Sequence, residues 1–283
     1  MIKNRIKIWS FCLLTVFTIS VFSACNSHGT NSGNGSFSAE PSSVAESGEE
    51  NSSTSHEEET EMGLSEFKLI KEEFEGKRVV VYGDSISAKA TLSAGENDYV
   101  EMLGASLGFT YERFAVSGSL ISYVAAVEND RQSGSKIVLA HEESNQKADY
   151  AIIFYGTNDF ARNVPLGSAT DCPERVSDVK TYCGGFNFLV GNLRKNNSDL
   201  KILILTPMKR FDRSMFNANG DYLKDFAETA EKMGEVLECR VINLFSLFDE
   251  SNFQKNSVNT SDGLHPSQEG HKVLAEYLLK LDQ

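Results

Sequence analysis

Three short segments, far apart in the chain, together supply the side chains of a nucleophilic acyl-transfer site. Gly83-Asp84-Ser85 follows the apolar run Val79 to Tyr82, and Gly156-Thr157-Asn158-Asp159 follows a second apolar run, Ala151 to Tyr155. Asp262-Gly263-Leu264-His265-Pro266 precedes the last amphipathic stretch. A serine at the end of a buried strand is presented at the sheet rim, but it is a weak nucleophile unless a base takes its proton. His265 is the candidate base. Asp262, three residues earlier, is the candidate carboxylate that orients the imidazole and stabilises its charged form. Asn158 offers a side-chain amide that could donate to a developing oxyanion.

Each segment also has a plainer reading. Asp262 could cap a helix whose first turn holds Pro266. Asn158 could simply be a turn former. The order of the three segments, two of them at strand ends, favours the catalytic reading, because a motif counts when its structural context fits.

In this order the chain resembles the SGNH (GDSL) hydrolase superfamily of esterases and lipases. Gly83-Asp84-Ser85-Ile86 is similar to the nucleophile block of that family, and Val116-Ser117-Gly118-Ser119 to the second block. Gly156-Thr157-Asn158-Asp159 resembles the third, and Asp262-Gly263-Leu264-His265-Pro266 the last. The resemblance covers about residues 78–281. It implies an α/β/α sandwich around a mostly parallel five-stranded sheet of flavodoxin-like type. It implies a catalytic set of Ser85, Asp262 and His265. It also implies an oxyanion hole of the Ser85 and Gly118 N–H groups with the Asn158 amide, and no cofactor or metal. Asp84 and Asp159 are expected to hold their turns through backbone hydrogen bonds. One departure stands out: the family often has an asparagine shortly before its second block, where this chain has Arg113-Phe114.

The elements that must position these groups are legible as alternating strands and helices. Apolar runs suited to buried parallel strands occur at Arg78–Tyr82, Thr110–Val116, Tyr150–Tyr155, Lys201–Thr206 and Arg240–Leu244. Tyr222, Phe226, Ala230, Met233 and Leu237 mark one helical face; Val273, Leu274, Tyr277, Leu278 and Leu281 mark another. Such alternation predicts a doubly wound three-layer domain, whose ligands bind beyond the carboxyl ends of the strands.

The 283 residues divide into three expected parts. Residues 1–24 read as a secretory signal peptide, with Lys3, Arg5 and Lys7 before an apolar core. Ser23-Ala24-Cys25 resembles a bacterial lipoprotein signal, which implies Cys25 as a lipid anchor to the cell membrane. Residues 25–63 form a Ser-, Gly-, Asn- and Glu-rich linker too poor in apolar residues to fold; as a coil it would span roughly 30–40 Å. Residues 64–283 form the hydrolase domain. The net charge is −13; the signal contributes three positive charges and the linker eight negative ones, leaving −8 on the domain. That balance disfavours nucleic acid and anionic membrane surfaces as partners.

Cysteine and histidine usage gives little sign of a metal site, since no close pair has ligand spacing. Cys172 and Cys183 flank a polar stretch and could close a disulfide in an extracytoplasmic setting. Cys239 reads as a buried thiol, His141-Glu142-Glu143 as a solvated face, and His271 as structural or exposed. The expected function is therefore that of an extracytoplasmic, membrane-tethered monomeric esterase acting on short esters of a glycan. The polar loop Phe160 to Cys183 offers Arg162, Asn163 and Asp171 to sugar hydroxyls. The alternatives are a lipase or lysophospholipase, and a catalytically silent glycan-binding lipoprotein.

Overall fold

The computed structural model of the chain describes residues 69–125 and 132–279. The expected signal peptide, the Cys25 anchor and the linker lie outside the described residues. Five strands form one sheet, β1 (Arg78–Gly83), β2 (Thr110–Arg113), β3 (Tyr150–Phe154), β4 (Lys201–Leu205) and β5 (Arg240–Ile242), in the order β2-β1-β3-β4-β5. Every neighbouring pair is parallel.

The sheet is central because its strands are apolar on both faces. Val80, Tyr82, Ala151, Ile153, Ile202 and Ile204 pack into one core, and Val79, Val81, Ile152, Phe154, Leu203 and Leu205 into the other. Successive side chains of a strand point to opposite faces, so two helical layers are required to cover them. The first core is covered by α3 (Gly134–Ala140), α6 (Tyr182–Asn196) and α7 (Leu223–Val236). The second is covered by α1 (Lys71–Phe74), α2 (Tyr99–Leu107) and α8 (Gln268–Leu279). Two short helices, α4 (Glu142–Lys147) and α5 (Thr157–Ala161), and a 3-10 turn at Val176–Asp178 complete the elements used below. Burying a large apolar side chain is worth roughly 1.5–3 kcal/mol, so the sheet rim rests on a core that does not depend on the polar groups at its edge.

The expected strands are all present. β1 runs one residue further than expected, and the other four stop one to three residues earlier. After β2 the chain still bonds to β1, with Phe114 N–H donating to Val81 O at 2.8 Å and Val116 N–H to Gly83 O at 3.1 Å, but it has already begun to turn toward the Gly118 loop. β2 is an edge strand and largely exposed, not buried.

The helical faces follow the expected spacing with two exceptions. On α7, Phe226, Ala230 and Met233 are buried, but Tyr222 precedes the helix in an extended conformation and is 49% exposed. On α8, His271, Leu274, Ala275 and Leu278 are buried, whereas Tyr277 faces outward; Leu281 lies outside the described residues. His271 is structural: its Nδ1 accepts from Tyr99 N–H at 3.4 Å, joining α8 to α2, and burial pushes its pKa down to about 4.

In this strand order the crossovers diverge at β1 and β3, the place where open α/β sheets bind ligands. Gly83 and Phe154 are paired in register, so Ser85 and Gly156 leave the sheet side by side.

Candidate active site

Ser85 emerges directly after β1. Its turn is closed by Asp84, whose Oδ1 accepts from Ile86 N–H at 3.0 Å. Asp84 is fully buried, and burial lifts its carboxyl to about 7 against the opposing pull of the Ile86 N–H and of His265.

The structure brings Ser85, His265 and Asp262 into one hydrogen-bonded chain. Ser85 Oγ lies 2.8 Å from His265 Nε2, and His265 Nδ1 lies 2.7 Å from Asp262 Oδ2. Asp262 Oδ1 accepts from His265 N–H at 2.8 Å, Leu264 N–H at 2.9 Å and Thr260 Oγ1–H at 3.2 Å. Partial burial disfavours the charged carboxylate, but the bonds from the His265 ring and from these two backbone N–H groups outweigh it and hold Asp262 down to about 2. Ionised at neutral pH, Asp262 can only accept. The proton of a neutral His265 therefore sits on Nδ1, leaving Nε2 as the acceptor for the Ser85 hydroxyl.

The turn that carries Asp262 and His265 is not a helix start. α8 begins later, and Ser267 caps it, with Ser267 Oγ accepting from Gly270 N–H at 3.2 Å. The bend depends on Gly263, whose φ is 80° and on which a Cβ would fall 3.1 Å from the Phe211 carbonyl carbon. A side chain there would be strained and would push on the neighbouring segment.

Asn158 is the second residue of α5, at the carboxyl end of β3. Its Nδ2 donates to Ser119 O at 3.2 Å, which leaves its second N–H available. The loop it touches is held mainly by Asp159, which accepts from Ile121 N–H at 3.1 Å and from Ser122 N–H and Oγ–H at 3.2 and 2.8 Å. Asp159 therefore braces the Gly118 loop as well as bonding to its own backbone N–H, as expected of a turn-holding carboxylate. Gly118 itself has φ 75°. Among the described residues, neither the N–H of Ser85 nor that of Gly118 donates to a protein acceptor. Asp159 is fully buried, and burial raises its carboxyl to about 6 despite those bonds.

Several groups that support the site were not read from the sequence. Arg113 donates through Nη1 to Ser87 O at 2.8 Å and pairs with Asp98, the residue that caps α2. It thus anchors the turn that carries Ser85. Arg210, in the loop after β4, donates through Nη1 to Thr157 O and Oγ1 at 2.9 and 3.0 Å. Its Nε and Nη2 pair with both oxygens of Asp212 at 2.6 and 2.7 Å. The available signal was position: Pro207 to Asp212 follows a strand end, as the other site segments do. Beyond it, a small hairpin pairs Phe216 with Tyr222 and leaves Met215, Phe216 and Tyr222 exposed.

Other expectations are corrected. The Cys172–Cys183 disulfide is not formed: Cys183 lies on the buried face of α6 as a free thiol raised to about 11 by burial, whereas Cys172 stays on the exposed loop. That loop is tied instead by Asp171, which accepts from Thr181 Oγ1–H at 2.6 Å and from Ser168 N–H at 3.0 Å. Asn163 is likewise engaged, since its Oδ1 accepts from Ala218 N–H at 2.7 Å. Of the three side chains offered to sugar hydroxyls, Arg162 alone has no such internal role among these contacts. Cys239 is only half-buried. His141 is not on a solvated face; it is half-buried and stacks on Phe114 with ring centroids 3.8 Å apart.

Two cavities, of about 180 and 330 Å³, open at the amino end of the sheet, away from Ser85. One is lined by Arg78, Thr110 and Ser144, the other by Tyr150, Arg194, Lys201 and Arg240. The hydrogen-bonded chain of Ser85, His265 and Asp262 lies at the other end of the strands. Among the described residues no group of three His, Cys, Asp or Glu side chains could hold a metal ion, and no helix is long and apolar enough to cross a membrane.

Comparison with solved structures places the fold among known proteins. A protein from Lactobacillus plantarum is 23% identical, with a TM-score of 0.59 over 72% of this chain and 95% of that one. A possible lipase from Chitinophaga pinensis is 22% identical, with a TM-score of 0.56 over 72% of this chain and 96% of that one. An acetyl xylan esterase from Geobacillus stearothermophilus is 18% identical, with a TM-score of 0.49 over 74% and 97%. No curated protein matches the chain. The family model of the GDSL-like lipase/acylhydrolase family matches residues 81–273, a span that contains Ser85, Gly118, Asn158, Asp262 and His265. The chain belongs to the GDSL-like lipase/acylhydrolase family, within the SGNH hydrolase superfamily.

Proposed function

We propose that the protein is a serine esterase that removes short acyl groups from a glycan, outside the cytoplasm and tethered to the membrane through Cys25. The observation that carries the esterase reading is the chain from Asp262 through His265 to Ser85 Oγ, with contacts of 2.7 and 2.8 Å. Ser85 Oγ attacks the ester carbonyl while His265 Nε2 takes its proton. The carbonyl oxygen becomes an oxyanion, received by the N–H groups of Ser85 and Gly118 and by the Asn158 amide. His265 returns the proton to the leaving alcohol, and an acyl group stays on Ser85. Water, deprotonated by His265, then attacks the acyl carbonyl; the bond to Ser85 Oγ breaks, His265 Nε2 returns the proton to Oγ, and the acid is released. Asp262 remains ionised throughout and stabilises the imidazolium at each step.

The glycan preference rests on the hairpin that bonds to Asn163, in the loop that follows the Asn158 helix. Phe216 and Tyr222 present exposed rings with centroids 6.3 Å apart. Exposed aromatic faces suit the apolar face of a sugar ring. The same exposure of Met215 and Phe216 favours a second reading, a lipase whose acyl chain lies on the hairpin. The test is release of acetate from acetylated xylan and peptidoglycan, beside aryl esters from acetate to palmitate, with Ser85→Ala as control. Wild-type turnover in Ser85→Ala would overturn the esterase mechanism. A specificity constant that climbs with chain length, as roughly 0.8 kcal/mol per buried methylene demands, would replace the glycan by a lipid.

A further inference from the structure

We infer that Arg210 is a positioning residue, forming with Asp212 a strut that fixes the Asn158 turn relative to the turn carrying Asp262 and His265. The inference rests on the proposed serine esterase mechanism and adds to it.

The strut is a continuous series of contacts. At one end, Arg210 Nη1 donates to both the carbonyl and the hydroxyl of Thr157, the residue just before Asn158. In the middle, the guanidinium is clamped side-on by both Asp212 oxygens. At the other end, Phe211 N–H donates to Gly263 O at 2.7 Å, within the bend between Asp262 and His265. The backbone of Phe211 and Asp212 lies so close to Gly263 that a Cβ there would meet the Asp212 nitrogen at 3.2 Å. Three consecutive residues thus touch the two turns that, in the proposed mechanism, hold the oxyanion donor and the base.

The energetics support a positioning role over a merely stabilising one. The Arg210 side chain is 3% exposed. Burying a charge is costly, and a buried ion pair is often no more stabilising than an apolar replacement of similar volume. What the pair supplies is geometry: a planar fork meets a planar carboxylate in one orientation only. Its free Nη1 edge is thereby aimed at Thr157. Burial works against the charged form of Asp212, yet the Arg210 bonds hold its carboxyl below the usual range, so the pair is ionised at neutral pH.

The test compares Arg210→Met and Asp212→Asn with the wild type on an aryl acetate, and combines Arg210→Met with Asn158→Ala. Arg210→Met should lower kcat by up to about 10²-fold, the cost of displacing a catalytic group by around 1 Å, with KM within about 2-fold. Labelling of Ser85 by a fluorophosphonate should slow in parallel. Because Arg210 acts through the Asn158 turn, its replacement should cost much less when Asn158 is already alanine. Multiplicative losses in the double variant, or wild-type turnover in Arg210→Met, would overturn the inference. Should Arg210→Met not fold, Asp212→Asn keeps the volume and carries the same cycle: a smaller loss beside Asn158→Ala supports the strut, and multiplicative losses or wild-type turnover overturn it. Ser85→Ala in the same assay separates the two ideas. An active Ser85→Ala would remove the mechanism itself, whereas an inactive one beside an unaffected Arg210 variant would remove only the strut.

Discussion

Asp84 should act as a pH-dependent liability in the fold, and its replacement by asparagine measures how large. The side chain is 2% exposed and its carboxyl is raised from 3.8 to about 7, chiefly by burial. The sign follows from proton binding. Between those values the native protein holds a proton that the unfolded chain has released, so stability is fully present below the lower value. It falls as the pH rises toward the upper one and is flat beyond it. At 1.36 kcal/mol for each pH unit of separation, the full window is worth about 4 kcal/mol. Asp84→Asn stays neutral throughout and retains an oxygen to accept from Ile86 N–H. Urea unfolding of both proteins from pH 4 to 8 isolates the effect, because Asp159, Asp262 and His271 titrate in both and largely cancel. The stability of Asp84→Asn relative to wild type should rise by up to about 4 kcal/mol between pH 4 and pH 7 and then level off. A difference that is constant across the range, or that falls with pH, would refute the buried-carboxylate reasoning.

Other perturbations bear on the proposed chemistry and location. Asn158→Ala removes one oxyanion donor and should lower kcat by about 10²–10³-fold with little change in KM; steady-state kinetics showing a rise in KM with intact turnover would contradict that role. Asp262→Asn replaces the acceptor of the His265 Nδ1 proton by a group that can donate, favouring the wrong tautomer, and should lower kcat by about 10⁴-fold. Its melting temperature should fall modestly, because the charged form that the His265 ring and the His265 and Leu264 N–H groups favour is lost. Cys25→Ser should release the protein from the membrane or leave the precursor uncleaved, and mass spectrometry of the mature N-terminus decides between a lipidated Cys25 and any other start.

Much of the fold was legible because it depends on local patterns. Val79 to Tyr82 and Ala151 to Tyr155 are short runs, each followed by a glycine and apolar on successive residues, as strands covered on both faces require. The spacing of Phe226, Ala230 and Met233 is helical, and the helix forms there. Tyr222 and Tyr277 were misplaced for the same local reason. Their types fit an apolar stripe, but the extended backbone at Tyr222 and the outward direction of Tyr277 depend on what packs alongside.

Ser85, Asn158, Asp262 and His265 could be singled out from the sequence because each stands in a short block at a strand end or before a helix. Their meeting could not be read in the same way. Ser85 and His265 are 180 residues apart, and their 2.8 Å contact exists because α8, which follows His265, packs on α2 and because Gly263 bends the last turn against Phe211. The long-range contacts that brace the site were illegible for the same reason. Arg113, Asp159 and Arg210 act on residues tens of positions away, and nothing in a polar side chain's own neighbourhood says which distant carbonyl or N–H it will find. Asn163 and Asp171 were offered to a ligand as polar side chains in a polar loop; Asp171 instead satisfies the loop's own Ser168 N–H and Thr181 hydroxyl, and Asn163 accepts from Ala218 N–H of a separate segment. The sequence by itself determined the strands, the helices and the chemical types at the rim, since these follow from periodicity and residue chemistry. Tertiary structure alone decided which of those groups touch, which cysteine is buried, and which charges brace the site, because contacts between distant segments are set by the packing of the whole sheet.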